Sequence, residues 1–225
     1  MTKLTLIIVA VSYLVGSIPF GYLLVRIFRG QDVRETGSGN IGATNVARTG
    51  SKRLGIATLL LDAAKGYAAV MFGFWMADHI AFRLQGATGA PAPFSLGNPW
   101  HFQLAFELAA LAGFCAIIGH MFPIWLRFKG GKGVATAVGA FAALAPRAIV
   151  VALVLFVVVV ALTRYISLGS MVAAATFPLL VWWLSPEERT TAPILLLIAA
   201  SSLLIIVRHK DNIRRLLAGT ENRWR

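Results

Sequence analysis

The sequence contains few charged residues and almost no cysteine. Charged side chains make up 13% of its 225 residues, against roughly 25% in an average soluble domain. Cys115 is the only cysteine, so no disulfide can form within the chain. Acidic residues are also scarce, with 9 Asp and Glu against 21 Lys and Arg. These shortages exclude an ordinary soluble domain and a fold stabilised by internal disulfides.

Long apolar runs take the place of the missing charges. Hydrophobic residues make up 58% of the chain, in repeated runs of about 20 residues, which is the length of a membrane-spanning helix. The first run, residues 4–28, leads directly into a charged loop, which indicates a span and not a cleaved signal peptide. We therefore predict an all-α polytopic membrane protein with a single membrane-embedded domain over residues 1–225.

The basic residues lie in short loops between the apolar runs. This distribution is typical of topology signals and of contact with anionic lipid, and not of a nucleic-acid-binding surface. With seven spans and the N-terminus outside, 16 of the 21 Lys and Arg residues lie inside and four lie outside, as the positive-inside rule requires. The sequence therefore predicts membrane lipid as a partner, no nucleic acid, and a cytoplasmic C-terminus.

The count of seven depends on residues 134–162. As one helix this apolar stretch would be about 43 Å long, against a hydrocarbon core of about 30 Å. Pro146 and Arg147 lie near its middle, so two helices with a turn at residues 145–147 are predicted, and a single kinked helix is the alternative. A single helix would give six spans and move the basic tail, residues 208–225, to the outside.

The glycine–lysine loop, residues 128–133, interrupts two apolar runs with the sequence FKGGKG. Glycines allow backbone N–H groups to converge on an anion, and a following helix N-terminus favours an anion as well. The loop is not a P-loop, because Gly133 follows Lys132 where that motif needs a hydroxyl. Two interpretations remain open, a phosphate cradle at the membrane surface or a basic loop that only sets topology.

Two further polar segments fall on the same predicted face. The first loop, residues 37–48, has three glycines, two asparagines, a serine and a threonine, and it ends in Arg48. The basic tail, if helical, puts His209, Asn212, Arg215 and Leu216 on one face. Such a tail is also typical of a helix that only binds anionic headgroups.

Four ionisable residues fall inside the apolar runs. Asp62 and Lys65 share a helix face in the second run, and Glu107 and His120 lie in the third. Buried charges of this kind face the bundle interior or a polar cavity, and the sequence does not separate a structural ion pair from a catalytic one. Residues 78–100, rich in Gly, Ala and Pro, are predicted to be an outside loop with an interfacial aromatic at Trp100.

The polar segments together resemble one known family, the bacterial acyl-phosphate:glycerol-3-phosphate acyltransferases. The three signature motifs of that family occur in order, as GSGNIGATNVAR at residues 37–48, GHMFP with FKGGKGVAT at 119–123 and 128–136, and RHKDNI with GTE at 208–213 and 219–221. The resemblance covers nearly the whole chain except residues 78–100. It implies an inner-membrane enzyme with seven spans and a cytoplasmic active site, which transfers an acyl group from acyl-phosphate to the 1-hydroxyl of glycerol 3-phosphate.

The resemblance also implies which residues form the site. The expected catalytic residues are Ser38, Arg48, Lys132, His209 and Asn212. The expected substrate contacts are Asn40, Thr44, Asn45, Gly130, Gly131, Gly133 and Ser170, with the glycine–lysine loop on glycerol 3-phosphate and Thr44 and Ser170 on acyl-phosphate. The implied products are lysophosphatidic acid and inorganic phosphate. No metal or cofactor is implied, and an enzyme that makes acyl-phosphate is a candidate partner.

The chemistry leaves two points open. His209 could act as the general base. Alternatively, a substrate phosphate could accept the hydroxyl proton while His209 and Asn212 orient glycerol 3-phosphate, and this second hypothesis is favoured. Ser38 could form an acyl-enzyme, but no histidine–carboxylate pair is assigned to activate it, so direct transfer is favoured. A small-anion transporter is the main rival class, and the absence of inverted-repeat symmetry in the sequence argues against it.

Overall fold

Ten α-helices form in the part of the chain that the computed structural model describes, which is residues 2–48, 51–88, 99–186 and 190–224. They are α1 (Thr2–Ser17), α2 (Phe20–Arg29), α3 (Ala43–Arg48), α4 (Lys52–Thr88), α5 (Pro99–Met121), α6 (Val134–Leu144), α7 (Pro146–Thr163), α8 (Ile166–Leu184), α9 (Ala192–Val207) and α10 (Lys210–Leu217). Two short 3₁₀ turns, Val33–Glu35 and Ile124–Leu126, complete the regular structure of the described residues.

The predicted all-α membrane architecture is confirmed. Five segments among the described residues are long and apolar enough to cross a membrane: Lys3–Arg29, Lys52–Ile80, Phe102–Leu126, Pro146–Thr163 and Ile166–Leu184. A sixth follows if α9 and α10, which bend by 51°, count as one span. At 11 residues α6 is about 16 Å long and too short to cross alone.

The predicted division of residues 134–162 is confirmed. Helix α6 ends at Leu144 and α7 begins at Pro146, with Ala145 outside helical geometry at φ −140° and ψ 68°. Proline fits the first position of a helix, because its missing N–H would have no partner there in any case. The sequence therefore ends one helix and starts the next at the same point.

A buried ion pair joins α4 to the break between α1 and α2. Lys65 Nζ lies 2.8 Å from Asp62 Oδ1 and also donates to the Ile18 carbonyl at 2.8 Å. His120 Nδ1 at the end of α5 lies 3.5 Å from the same carboxylate oxygen. Pro19 interrupts the first helix, and the Ile18 carbonyl beside the break accepts the Lys65 proton. These charges hold three helices together at one level of the bundle.

Glycines allow the backbones of crossing helices to touch. A Cβ at Gly139 of α6 would overlap the carbonyl oxygen of Ala63 in α4, and a Cβ at Gly66 of α4 would overlap the Thr136 carbonyl oxygen. The same holds for Gly16 of α1 against Ala116 of α5. Close contact through small residues is how helices associate in lipid, where hydrophobic burial gives no advantage. The α4–α6 crossing sets the position of the loop that precedes α6.

The prediction of an outside loop over residues 78–100 is wrong for its first half. Helix α4 continues to Thr88, because the polar Asp78 and His79 do not end a helix and the apolar Ile80 behind them is buried against Ile8. Residues 89–98 and the side chain of Trp100 lie outside the described residues. Helix α5 then begins at Pro99.

We expect Gly139→Leu to destabilise the protein by about 1–3 kcal/mol or more, because the added side chain meets rigid backbone of α4. Ala64→Leu is the matched control, since Ala64 is exposed on the same segment of α4. Thermal unfolding in detergent, followed by the loss of monodisperse protein, measures both. An equal effect of the two substitutions would contradict the close α4–α6 crossing.

Candidate active site

The first loop is organised by the side chain of Asn45. Its Oδ1 accepts from the Ser38 amide at 2.8 Å, and its Nδ2 donates to the carbonyls of Val33, Thr36 and Asn40 at 2.8–3.0 Å. Asn45 is buried, and its side chain shapes the loop that presents the neighbouring residues. The substrate contact expected of Asn45 stays a prediction.

The loop presents three of the predicted site residues to solvent. Ser38 lies between Gly37 and Gly39, both in left-handed backbone that favours glycine, and its side chain is exposed. Thr44 and Arg48 are exposed on α3. The remaining predicted contact in this loop, Asn40, uses Oδ1 to accept the Gly42 amide at 2.9 Å, so its amide nitrogen is the group left for a ligand.

In the glycine–lysine loop, the amides of Gly130 and Gly131 form hydrogen bonds within the protein. The Gly130 amide donates to the Met121 carbonyl at 3.2 Å, and the Gly131 amide donates to the His120 carbonyl at 3.0 Å. These two amides are therefore not the anion donors that the glycine content predicts. The glycines are needed for packing, since a Cβ at Gly131 would overlap the His120 ring.

Backbone amides that can bind an anion lie directly after Gly131 in the chain. Gly133 has φ +83° and forms the N-cap of α6, which confirms that a helix begins directly after the loop. The amides of Lys132, Gly133 and Val134 have no acceptor within the described part of the chain. Free amides at a helix N-terminus, together with the helix dipole, bind anions.

Lys132 is held by a hydrogen-bond network that joins four segments. Its Nζ donates to Asn212 Oδ1 at 2.5 Å, and Asn212 Nδ2 donates to Glu221 Oε1 at 2.7 Å. Ser167 of α8 donates to the same Glu221 oxygen at 2.8 Å, and Arg215 of α10 donates to Oε2 at 2.7 Å. Because the amide nitrogen of Asn212 faces a carboxylate, its oxygen must face Lys132.

Burial and nearby charges shift the pKa of Lys132. Burial lowers the pKa of its ammonium group to about 8. The nearby Glu221 carboxylate opposes this shift, whereas the positive charges of Arg215 and Arg48 add to it. The electrostatic effect of Arg48 also indicates that the first loop and the glycine–lysine loop lie close together. Near pH 8 Lys132 is thus only partly charged, and a bound anion would stabilise its charged form.

Glu221 stays ionised in this setting. Burial alone would raise the pKa of its carboxyl group, but the hydrogen bonds from Arg215, Asn212 and Ser167 outweigh it and lower the pKa. One carboxylate therefore anchors α8, α10 and the tail around Lys132. The tail continues along the same surface, where the Trp224 amide donates to the Arg164 carbonyl at 2.7 Å.

His209 lies at the start of α10 on the same side as Asn212, and both are buried. Its Nδ1 lies 2.7 Å from the Ile205 carbonyl oxygen, so Nδ1 is the protonated nitrogen and Nε2 carries the lone pair. This confirms the predicted helical tail with His209 and Asn212 on one face. Ser170, one turn after Ser167 on α8, is buried and donates to the Ile166 carbonyl at 2.9 Å.

Three contributors to the site were not assigned from the sequence. The sequence left the role of Glu221 open, and its signal is that it is one of two carboxylates in a basic tail. Nothing in the sequence points to Ser167, because a single serine in a polar turn is common. Arg208 donates to the Gly130 and Gly131 carbonyls at 2.9 and 3.2 Å and stacks on Phe122, whereas its place after the last span indicates only topology.

Comparison with known proteins agrees over the full length of the chain. The family model described as glycerol-3-phosphate acyltransferase matches residues 6–219. A glycerol-3-phosphate acyltransferase of Geobacter sulfurreducens is 46% identical over 220 residues, which are 98% of this chain and 97% of the relative. One from an Anaeromyxobacter species is 43% identical over 224 residues, covering 100% and 98% of the two chains.

Solved structures give the same result for the fold. PlsY (YgiH), an integral membrane glycerol 3-phosphate acyltransferase, superposes in its glycerol 3-phosphate form with a TM-score of 0.79 at 31% identity, covering 98% of this chain and 96% of that one. Its lysophosphatidic acid form gives 0.75 at 30% identity, with 97% and 94% covered. Because sequence, fold and the three polar segments agree, this chain belongs to the glycerol-3-phosphate acyltransferase family.

Proposed function

We propose that this protein transfers a fatty acyl group from acyl-phosphate to the 1-hydroxyl of sn-glycerol 3-phosphate. The hydroxyl oxygen bonds to the acyl carbonyl carbon, the bond between that carbon and the phosphate oxygen breaks, and lysophosphatidic acid and inorganic phosphate leave. The observation that carries the proposal is the oriented Lys132 ammonium beside the free amides of the α6 N-terminus. Relatives named for glycerol 3-phosphate support the acceptor, and the phosphate-binding character of the site fits the donor.

The proposed topology has seven crossings in the bacterial inner membrane. The five long segments and α9 make six of these crossings. The seventh is α6, which is shorter than the hydrocarbon core and therefore requires the bilayer to be locally thinner. The N-terminus lies outside and the tail lies in the cytoplasm. The distribution of 16 basic residues inside against four outside favours this orientation. Residues 1–225 act as one acyltransferase domain, with the first loop, the glycine–lysine loop and the tail on the cytoplasmic face, where an acyl-phosphate-producing enzyme supplies the donor.

Two phosphates must bind close together in this site, and a different cation binds each of them. Lys132 and the first-turn amides of α6 bind the phosphate of glycerol 3-phosphate. Arg48, exposed on α3 and close enough to act on Lys132, binds the phosphate of the donor with Thr44. Ser170 is buried and donates its one hydroxyl proton to the Ile166 carbonyl, so it has none left for the phosphate. Preorganised cations and amides stabilise charge that develops as the phosphate leaves.

The reaction needs no enzyme base for its proton balance. The acceptor hydroxyl loses one proton, and the departing phosphate takes up one proton near neutral pH. Transfer of the proton directly to a substrate phosphate completes this exchange. His209 then orients glycerol 3-phosphate by accepting a hydrogen bond at Nε2 from the 2-hydroxyl, which keeps its proton, and the hydrogen bond from Nδ1 to Ile205 fixes the ring. Asn212 positions Lys132.

Direct transfer also fits the surroundings of Ser38. Among the described residues, no imidazole or carboxylate forms a hydrogen bond with its side chain, so a serine nucleophile would have no base to activate it. Its exposed hydroxyl, held in place by the bond from its amide to Asn45, instead binds a substrate oxygen.

The purified protein in detergent is expected to form lysophosphatidic acid from acyl-phosphate and not from acyl-CoA. Lys132→Ala should lower kcat/KM by about 10²- to 10³-fold, the effect of removing one preorganised charge donor. Lys210→Ala removes an exposed lysine of α10 and serves as the control. Folded, monodisperse protein that forms no product from either donor would favour the anion-transporter reading, which liposome uptake then tests.

Glycerol 3-phosphate binding should weaken as the pH rises through about 8, because the ammonium of Lys132 then loses its charge. At higher pH the Kd approaches a tenfold rise per pH unit, since binding requires one proton. Lys132→Arg keeps its charge over this range and should abolish the pH dependence, even if its affinity is lower. Titration calorimetry between pH 6.5 and 9.5 measures both, and a flat wild-type profile would refute the role of Lys132.

His209→Gln distinguishes the two proton routes. If His209 only orients glycerol 3-phosphate, the glutamine amide retains part of that function and activity should fall by less than about tenfold. Loss of a general base typically costs 10²- to 10⁴-fold. The pH profile of kcat and the affinity for glycerol 3-phosphate are measured together. Activity that disappears while the substrate still binds normally would assign the proton to His209.

A further inference from the structure

A cavity lies outside the candidate active site. It is a cleft of about 690 Å³, within the size range of ligand-binding pockets. It lies between the α1–α2 break and the turn after α5. Its walls include Ile18, Tyr22, Leu23, Trp125, Arg127 and Lys129, and these six residues define what we call the interfacial cleft. None of the predicted catalytic or substrate-binding residues lines it.

The interfacial cleft lies at the boundary between lipid and water. The apolar segment that contains most of α5 continues through the following 3₁₀ turn and ends at Leu126. The residues around that end expose large apolar side chains. Trp125 is 62% exposed and Phe128 is 57% exposed. Exposed aromatic residues at the end of a span occupy the headgroup region of a bilayer, so the cleft opens at headgroup level.

The interfacial cleft carries positive charge without a counterion. Arg127 and Lys129 are exposed, and within the described residues neither forms an ion pair with a carboxylate. Arg34, which also lines the cleft, is compensated by a 2.5 Å ion pair with Asp32. Two uncompensated cations therefore face a wall of aromatic and aliphatic side chains.

The turn that carries these cations is fixed before any ligand arrives. Arg127 and Phe128 have φ of 52° and 61°, which non-glycine residues seldom adopt. The amides of Arg127, Phe128 and Lys129 are bonded to carbonyls of residues 123–126 within the same turn. The chain thus places bulky and charged side chains at positions that favour glycine, although glycines follow directly in the same loop.

We propose that the interfacial cleft binds the headgroup of an anionic glycerophospholipid from the surrounding bilayer. The two cations pair with the phosphodiester, and the apolar wall contacts the glycerol backbone and the first methylenes of the chains. The combination of uncompensated charge, exposed aromatics and headgroup depth fits a bilayer lipid better than a freely soluble anion, which would gain nothing from the apolar wall. This binding goes beyond acyl transfer and does not depend on it.

Native mass spectrometry of the delipidated protein in detergent tests the proposal, with phosphatidylglycerol and phosphatidylcholine of the same chains as probes. The wild type should prefer phosphatidylglycerol. The double variant Arg127→Asn/Lys129→Gln should weaken phosphatidylglycerol binding by about five- to 25-fold, because each basic residue near an anionic headgroup contributes about fivefold. Asparagine is chosen at position 127 because it tolerates left-handed backbone.

The control variant Arg147→Gln/Lys210→Gln removes two exposed charges elsewhere and should change the affinity by less than twofold. Lys129→Gln alone leaves the left-handed turn intact and should still cost about fivefold if the double variant does not fold. Equal affinity of the wild type for the two lipids, or equal losses in both double variants, would overturn the proposal. Displacement of the lipid by millimolar inorganic phosphate would do so as well, because the cleft would then be a site for free phosphate.

Discussion

The hydrogen bond between Lys132 and Asn212 is the contact on which the candidate site depends. It joins residues 80 positions apart in the sequence and links the glycine–lysine loop to the helix that follows the last span. A buried ammonium is costly unless it is bonded and balanced by charge. The carboxylate of Glu221 provides that balance through Asn212. Without this chain of contacts, Lys132 would have no fixed direction toward a bound phosphate.

The glycines of this chain act mainly through their lack of a side chain. Gly66 and Gly139 bring α4 and α6 into backbone contact, and Gly131 makes room for the ring of His120. Asp62 lies against that ring and pairs with Lys65, which donates to the Ile18 carbonyl at the break between α1 and α2. The loop that carries Lys132 therefore rests on a rigid base in which helices are packed closely and buried charges are paired. Positioning of the phosphate site is a property of this base and not of the loop alone.

The sequence was sufficient for the features that depend on local patterns. Apolar length predicted the membrane helices, Pro146 predicted the division after α6, and the polar segments identified the family. Features that depend on contacts between distant residues could not be predicted from the sequence. Asn45 lies in a motif rich in polar side chains, and only the fold reveals that its amide closes the loop internally. Likewise, glycine content is compatible with both an amide cradle and close packing, and the paired amides of Gly130 and Gly131 distinguish the two.

The position of Glu221 in the chain has a consequence for biosynthesis. This residue follows all the spanning helices in sequence, yet it fastens Ser167 of α8 and Asn212 of α10. The chain is synthesised from its N-terminus, so this carboxylate is made after all of those helices. The hydrogen-bond network around Lys132 can therefore form only after Glu221 has been added to the chain.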